Sequence, residues 1–130
     1  MPRTTTLTDA FAFFGASTHN IRQAWSAVSP DGRTVVITLW DHERAADGSV
    51  NYFDPANRWR WERRWGNKER IRHLKHALDN CSGRFRVVRV VAKDPDADSK
   101  TIRDRIADPD TVMKITGFDA ATGEFAARPV

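Results

Sequence analysis

Seven residues constrain this fold more than any others. Thr34 to Trp40 reads TVVITLW, β-branched and apolar on both of the faces that a strand presents. A strand with one wet face alternates apolar and polar residues. This one does not, so it is expected at the centre of a sheet. Arg22 to Val28 reads as a strand before it. Ser29-Pro30-Asp31-Gly32 lies between them, with Pro and Gly where a turn wants them, and the two strands make a hairpin.

A second strong strand is expected over Arg84–Lys93 (RFRVVRVVAK), with an alternation that slips near Val88-Arg89 and predicts a bulge or a switch of face. Thr111 to Phe118 and Glu124 to Ala127 predict a last hairpin, turning at Ala120-Ala121-Thr122-Gly123. Ser49 to Phe53 is a candidate short strand, and Ile102 to Ile106 fits no pattern cleanly. Asp41–Gly48 and Asp94–Lys100 are polar and read as loops.

Two helices complete the reading. Thr6 and Asp9 have capping-box spacing, Leu7, Ala10, Phe11 and Phe14 then share a helical face, and Gly15 is a natural stop. Asn67 can cap a second helix running to about Asn80, with Ile71, Leu74, Ala77 and Leu78 on its buried side and Ser82-Gly83 at its end. About six strands and two helices, not in regular alternation, exclude a doubly wound sheet. The expectation is one domain over residues 1–130, of α+β class. Its architecture would be a small, mostly antiparallel β-barrel or half-barrel with two flanking helices.

At 130 residues, 40% hydrophobic and 29% charged, the chain can bury a core without staples. Its single cysteine, Cys81, allows no internal disulfide and reads as a half-buried thiol at a helix end. No apolar run approaches the ~20 residues needed to span a bilayer, and the N-terminus lacks an apolar signal core. A cytoplasmic, reducing setting without membrane contact is the expectation.

The net charge of +4 is unevenly placed. Residues 58–76 hold eight Lys and Arg against Glu62 and Glu69, or +6 over nineteen residues, so the rest of the chain carries −2. Trp59, Trp61 and Trp65, three of the five tryptophans, lie in the same stretch. Arginine pairs with phosphate, lysine supplies charge and bases stack on indole faces. The stretch therefore reads as a surface for a polyanion, DNA or RNA, with Arg58, Arg60, Arg63, Arg64 and Lys68 on phosphates and Trp59 and Trp61 stacking or wedging. The competing reading turns the tryptophans inward and leaves the arginines in solvent.

Trp25 and Trp40 lie on the paired strands of the first hairpin. They pack as core, or they wall a cage for a flat ring whose edge Asn20, Ser26 or Asp41 reads, the way a flipped base is held. Asp41-His42-Glu43 directly follows the central strand, and its carboxylates could hold a divalent metal for hydrolysis. No lysine at nuclease-like spacing accompanies it. His73 and His76 are a turn apart after Glu69, without HExxH or a further ligand cluster, and read as solvated histidines beside phosphate. Ser26 has no neighbouring histidine in sequence and no nucleophile elbow. No cofactor and no metal are expected.

From Asp47 onward the order of features resembles the PUA-like superfamily, particularly its SRA, EVE and ASCH branches. The residues that carry this are Asp47-Gly48 with Tyr52, then the helix with Asn67, Ala77 and Leu78, then Arg86-Val87-Val88-Arg89. Val112-Met113-Lys114-Ile115 and Gly123-Glu124-Phe125 complete the series. The resemblance implies a small barrel with flanking helices that binds RNA or takes a modified base into an aromatic pocket. Tyr52 and one hairpin tryptophan would then be pocket walls. The leading expectation is a non-catalytic nucleic-acid-binding module, with pocket residues Asn20, Trp25, Ser26, Trp40, Asp41 and Tyr52. The rivals are a small metal-dependent nuclease using Asp41, His42 and Glu43, and a protein-interaction module gripping a partner with its Trp/Arg surface.

Overall fold

The computed structural model describes residues 3–4, 6–18, 21, 23–96 and 102–130. In chain order the elements are β1 (Arg3–Thr4), α1 (Leu7–Phe13), β2 (Ser26–Val28), β3 (Val35–Trp40) and β4 (Val50–Asn51). They continue as α2 (Trp65–Asn80), β5 (Arg84–Ala92), β6 (Ile102–Phe118) and β7 (Phe125–Pro129). Short 3-10 turns stand at Asp41–Glu43 and Arg58–Arg60.

The strands form one mixed sheet in the order β2-β3-β5-β6-β7-β4, with β1 added on β6. Every pairing is antiparallel except β3 with β5, which is parallel. The class is α+β with two α-helices among the described residues. β2 and β4 are the two ends of the path and do not pair with each other, so where a barrel or half-barrel was expected the sheet is open and does not close into a barrel.

The central position of TVVITLW has a clear basis. Val35, Ile37 and Leu39 face one core with Leu74 and Ala77 of α2 and with Phe85, Met113 and Phe125. Val36 faces the other, with Ala10 and Phe11 of α1, Ala27 and Val88. A helix covers each face, so alternation has nothing to mark. The same fact explains β5: Val87 belongs to the first core and Val88 to the second, with no switch of face. The register does shift between Arg86 and Val87, because the chain of β6 bulges around Pro109, whose carbonyl accepts from Arg86 Nη2 at 2.6 Å.

Helix α1 begins as its capping signal predicts: Thr6 Oγ1 accepts from the Asp9 N–H, and Gly15 follows the helix at φ 71°. Helix α2 starts three residues earlier than an Asn67 cap implies, with Arg64 at the cap, Trp65 as first residue and Asn67 buried inside the first turn. Its last turn closes on Ala77 O, which accepts from both Cys81 N and Gly83 N, and Cys81 is half-buried there. Leu78, expected on the buried side, is 44% exposed. Strand β2 is shorter than the expected Arg22–Val28, and Arg22 lies outside the described residues. The ambiguous Ile102–Ile106 is the first part of β6, continuous with the expected hairpin strand. Among the described residues no helix is long and apolar enough to cross a membrane.

Candidate functional site

The face of β3 that carries Val36 under α1 continues, by the two-residue period of a strand, through Thr38 to Trp40. Beside the start of α1 this face opens into a cavity of about 650 Å³. It lies at the C-terminal ends of the parallel pair, where Trp40 is in register with Val90 and Val90 with Arg105 of β6. Four aromatic side chains line it: Trp25, Trp40, Tyr52 and Trp61. Thr38 and Val90 lie between them, and the start of α1, Thr6 to Thr8, contributes to the wall. The charged groups are Arg70, Glu43 and Arg105.

Trp25 is held by backbone: its carbonyl accepts from Thr38 N and Thr38 Oγ1, both at 2.9 Å. From behind, Gly66 presses on it, and a Cβ at Gly66 would stand 2.6 Å from the Trp25 indole and from Gln23 O. Tyr52 follows β4 and packs on Phe125 at 5.1 Å between centroids. Burial, with the nearby Glu43 carboxylate, pushes the Tyr52 hydroxyl well above its ordinary range, so it stays protonated at neutral pH.

Arg70 was not singled out by sequence pattern, since it looked like one more cation of the helix. In the fold it is 8% exposed and its guanidinium lies among ring faces. The carbon of that group is 4.9 Å from the Trp25 centroid, 5.0 Å from Phe125, 5.7 Å from Trp61 and 5.9 Å from Tyr52. Burial pulls its pKa down to about 10, with Tyr52 and Glu43 acting in the opposite direction, so it remains charged at neutral pH.

The basic stretch divides into committed and open groups. Arg58 is committed: its Nη1 donates to the buried Glu124 at 2.9 Å and its Nε to Glu62 at 3.1 Å. Glu124 also accepts from Asp54 N and Thr122 Oγ1, so this cluster ties the arm to the β6–β7 turn. Arg60, Arg63, Arg64 and Lys68 are exposed, and the positive end of α2 lies in the same segment. Trp59 is 69% exposed with Arg60 over its ring at 5.3 Å. Trp61 turns inward to the cavity, so one segment supplies both surface cations and a pocket wall.

Of the six expected pocket residues, the fold brings Trp25, Trp40 and Tyr52 together, and Asn20 lies outside the described residues. Ser26 and Asp41 are not in the wall. Ser26 is fully buried, with Oγ 2.7 Å from His73 Nδ1, so the fold supplies the histidine partner that the local sequence lacks. The pair joins β2 to α2, with His73 half-buried. Asp41 has both oxygens on Arg89, each at 2.8 Å, which holds its carboxyl below the usual range. His42 lies tilted beside Trp40 at 5.6 Å, and Glu43 reaches the cavity. Among the described residues no three His, Cys, Asp or Glu side chains converge to hold a metal ion.

The two helix histidines are structural anchors, where solvated side chains beside phosphate were expected. His76 Nε2 is 2.7 Å from Gly32 O, and His73 holds Ser26. Burial, then repulsion from Arg72 and His76, lowers the His73 pKa from 6.5 to about 4. Between those values the unfolded chain holds the extra proton and the folded one does not. Stability should therefore fall as pH drops from about 6.5 to about 4. Urea denaturation across this window is expected to show that slope, and His73→Gln to flatten it. An unchanged slope in the variant would assign the effect to other groups.

Compared with known family models, curated proteins and solved structures, the chain matches none.

Proposed function

We propose that the protein is a non-catalytic nucleic-acid-binding module, which grips the phosphates of DNA or RNA with its basic arm and takes one base into the aromatic cavity. The observation that carries this reading is the double placement of Trp61. It is part of the arm that bears Arg60, Arg63 and Arg64, and it is a wall of the cavity. A strand whose phosphates track the exposed cations has a base-sized aromatic slot beside it. Sequence-tolerant stacking on each ring contributes about 1–3 kcal/mol. The open sheet with a helix on each face is, in this reading, a PUA-like half-barrel of a cytoplasmic protein.

A base enters such a cavity only after leaving its stack, which costs a few kcal/mol in a duplex and less at a mismatch or modified base. Single strands should therefore bind more tightly than matched duplexes. Fluorescence polarization over single- and double-stranded DNA and RNA, with and without methylated bases, in a salt series, tests this. A log affinity that falls linearly with log salt is the expected result. If none of these polymers binds in a salt-sensitive way, the proposal is wrong.

A further inference from the structure

Arg70 is a buried cation whose donors are not used up by the protein. Its Nε is buried with no hydrogen-bond partner. Its one bond, from Nη2 to Asn67 Oδ1, is long at 3.4 Å. No ion pair is made by Arg70 among the described residues, and the ring faces around it offset only part of its lost hydration. A group of this kind calls for acceptors on whatever fills the cavity. The Glu43 carboxylate lines the same cavity beside the Tyr52 hydroxyl, and a carboxylate with one such donor keeps lone pairs for a ligand's donors.

The common bases differ in whether they can meet both demands. A guanidinium offers two parallel N–H bonds, and a carboxylate accepts two. Guanine alone has two adjacent acceptors, O6 and N7, beside two adjacent donors, N1–H and the N2 amino group. Adenine places a donor next to N7, cytosine has one amino donor beside its acceptors, and uracil and thymine set a single donor between two carbonyls. Glu43 with Arg70 is neutral as a pair, which suits an uncharged ring.

We infer that the cavity selects a guanine-type ring, with Arg70 donating to the O6/N7 edge and Glu43 accepting from N1–H and the N2 amino group. This rests on the base-binding reading above and makes Arg70 and Glu43 its specificity-determining residues.

The test uses thymine pentadeoxynucleotides whose central base is guanine, adenine, cytosine, thymine, 7-deazaguanine or hypoxanthine. Quenching of tryptophan emission reports binding, since Trp25, Trp40 and Trp61 line the cavity. The guanine probe is expected to bind roughly tenfold or more tightly than adenine, cytosine or thymine. 7-Deazaguanine, which lacks the N7 acceptor, and hypoxanthine, which lacks the N2 amino group, should each lose about as much. Arg70→Gln should make guanine and 7-deazaguanine equal, and Glu43→Gln should make guanine and hypoxanthine equal. Equal binding of guanine and 7-deazaguanine by the wild-type protein overturns the Arg70 assignment, whether or not the Arg70 variant folds. Equal binding of all four ordinary bases overturns guanine selection while leaving base binding in place. Absence of quenching by every probe at low salt overturns both.

Discussion

Replacing Asn67 by alanine should destabilise the protein by about 2–4 kcal/mol, among the larger effects that one polar residue can have. Asn67 is 1% exposed. Its Nδ2 donates both hydrogens to main chain, to Glu62 O at 2.9 Å and to Thr122 O at 3.0 Å, and its Oδ1 accepts from Arg70. One carboxamide thus ties the arm, the β6–β7 turn and the cavity's cation to a single point on α2. Removing it strands two carbonyls and opens a void. The contact is close from the far side too: Gly123 sits at φ 87°, and a Cβ there would run into the Asn67 carboxamide. Asn67→Asp keeps the volume but turns a carboxylate oxygen toward two carbonyls, so it should not rescue. Chemical denaturation, or a melting temperature lower by roughly 8–15 °C, is the measure. A wild-type melting curve for Asn67→Ala would show that the arm is held by something else.

The largest effect on binding is expected from Arg60, Arg63 and Arg64 replaced together by alanine. If each neutralises one phosphate, the slope of log affinity against log salt should shrink by about 2 on single strands and about 2.7 on duplex. At ~50 mM salt this corresponds to a ~500-fold loss on single strands. Stability should hardly change, because the three side chains are exposed. Arg58→Ala should behave in the opposite way. It leaves buried Glu124 without its cation, so stability falls while the salt slope moves little. Retention of the full slope by the triple variant would remove the arm from the binding surface.

What could be read from sequence was what neighbours in the chain decide. The Thr6 cap, the Gly15 stop, the turn before β7 and the double-faced apolar run of β3 each depend on a few adjacent residues, and each stands where expected. Trp25, Trp40 and Tyr52, named together from sequence, line one cavity. The rest depended on which distant groups meet. Asn67 has the chemistry of a helix cap, but here its amide serves Glu62 and Thr122, and the helix starts without it. Gly66 lets the helix approach Gln23 and Trp25, a contact between segments far apart in the chain. Arg70 is identical in type to the solvated arginines around it. Only the fold places it under four rings, and no local pattern separates it from Arg72.

The parallel pairing of β3 with β5 has a consequence for how the molecule assembles. Parallel neighbours cannot be joined by a tight turn, and residues 41–83, with the arm and α2, form the crossover between them. The β2–β3 and β6–β7 hairpins can close locally, whereas the centre of the sheet waits for that long loop. Until then the apolar edge of β3 is bare and could pair with another copy of the chain. The segment whose late docking leaves it bare carries the +6 cluster, so two unfinished chains repel each other during the delay. The cations proposed to grip phosphate are thus placed to act as gatekeepers against aggregation while the chain folds.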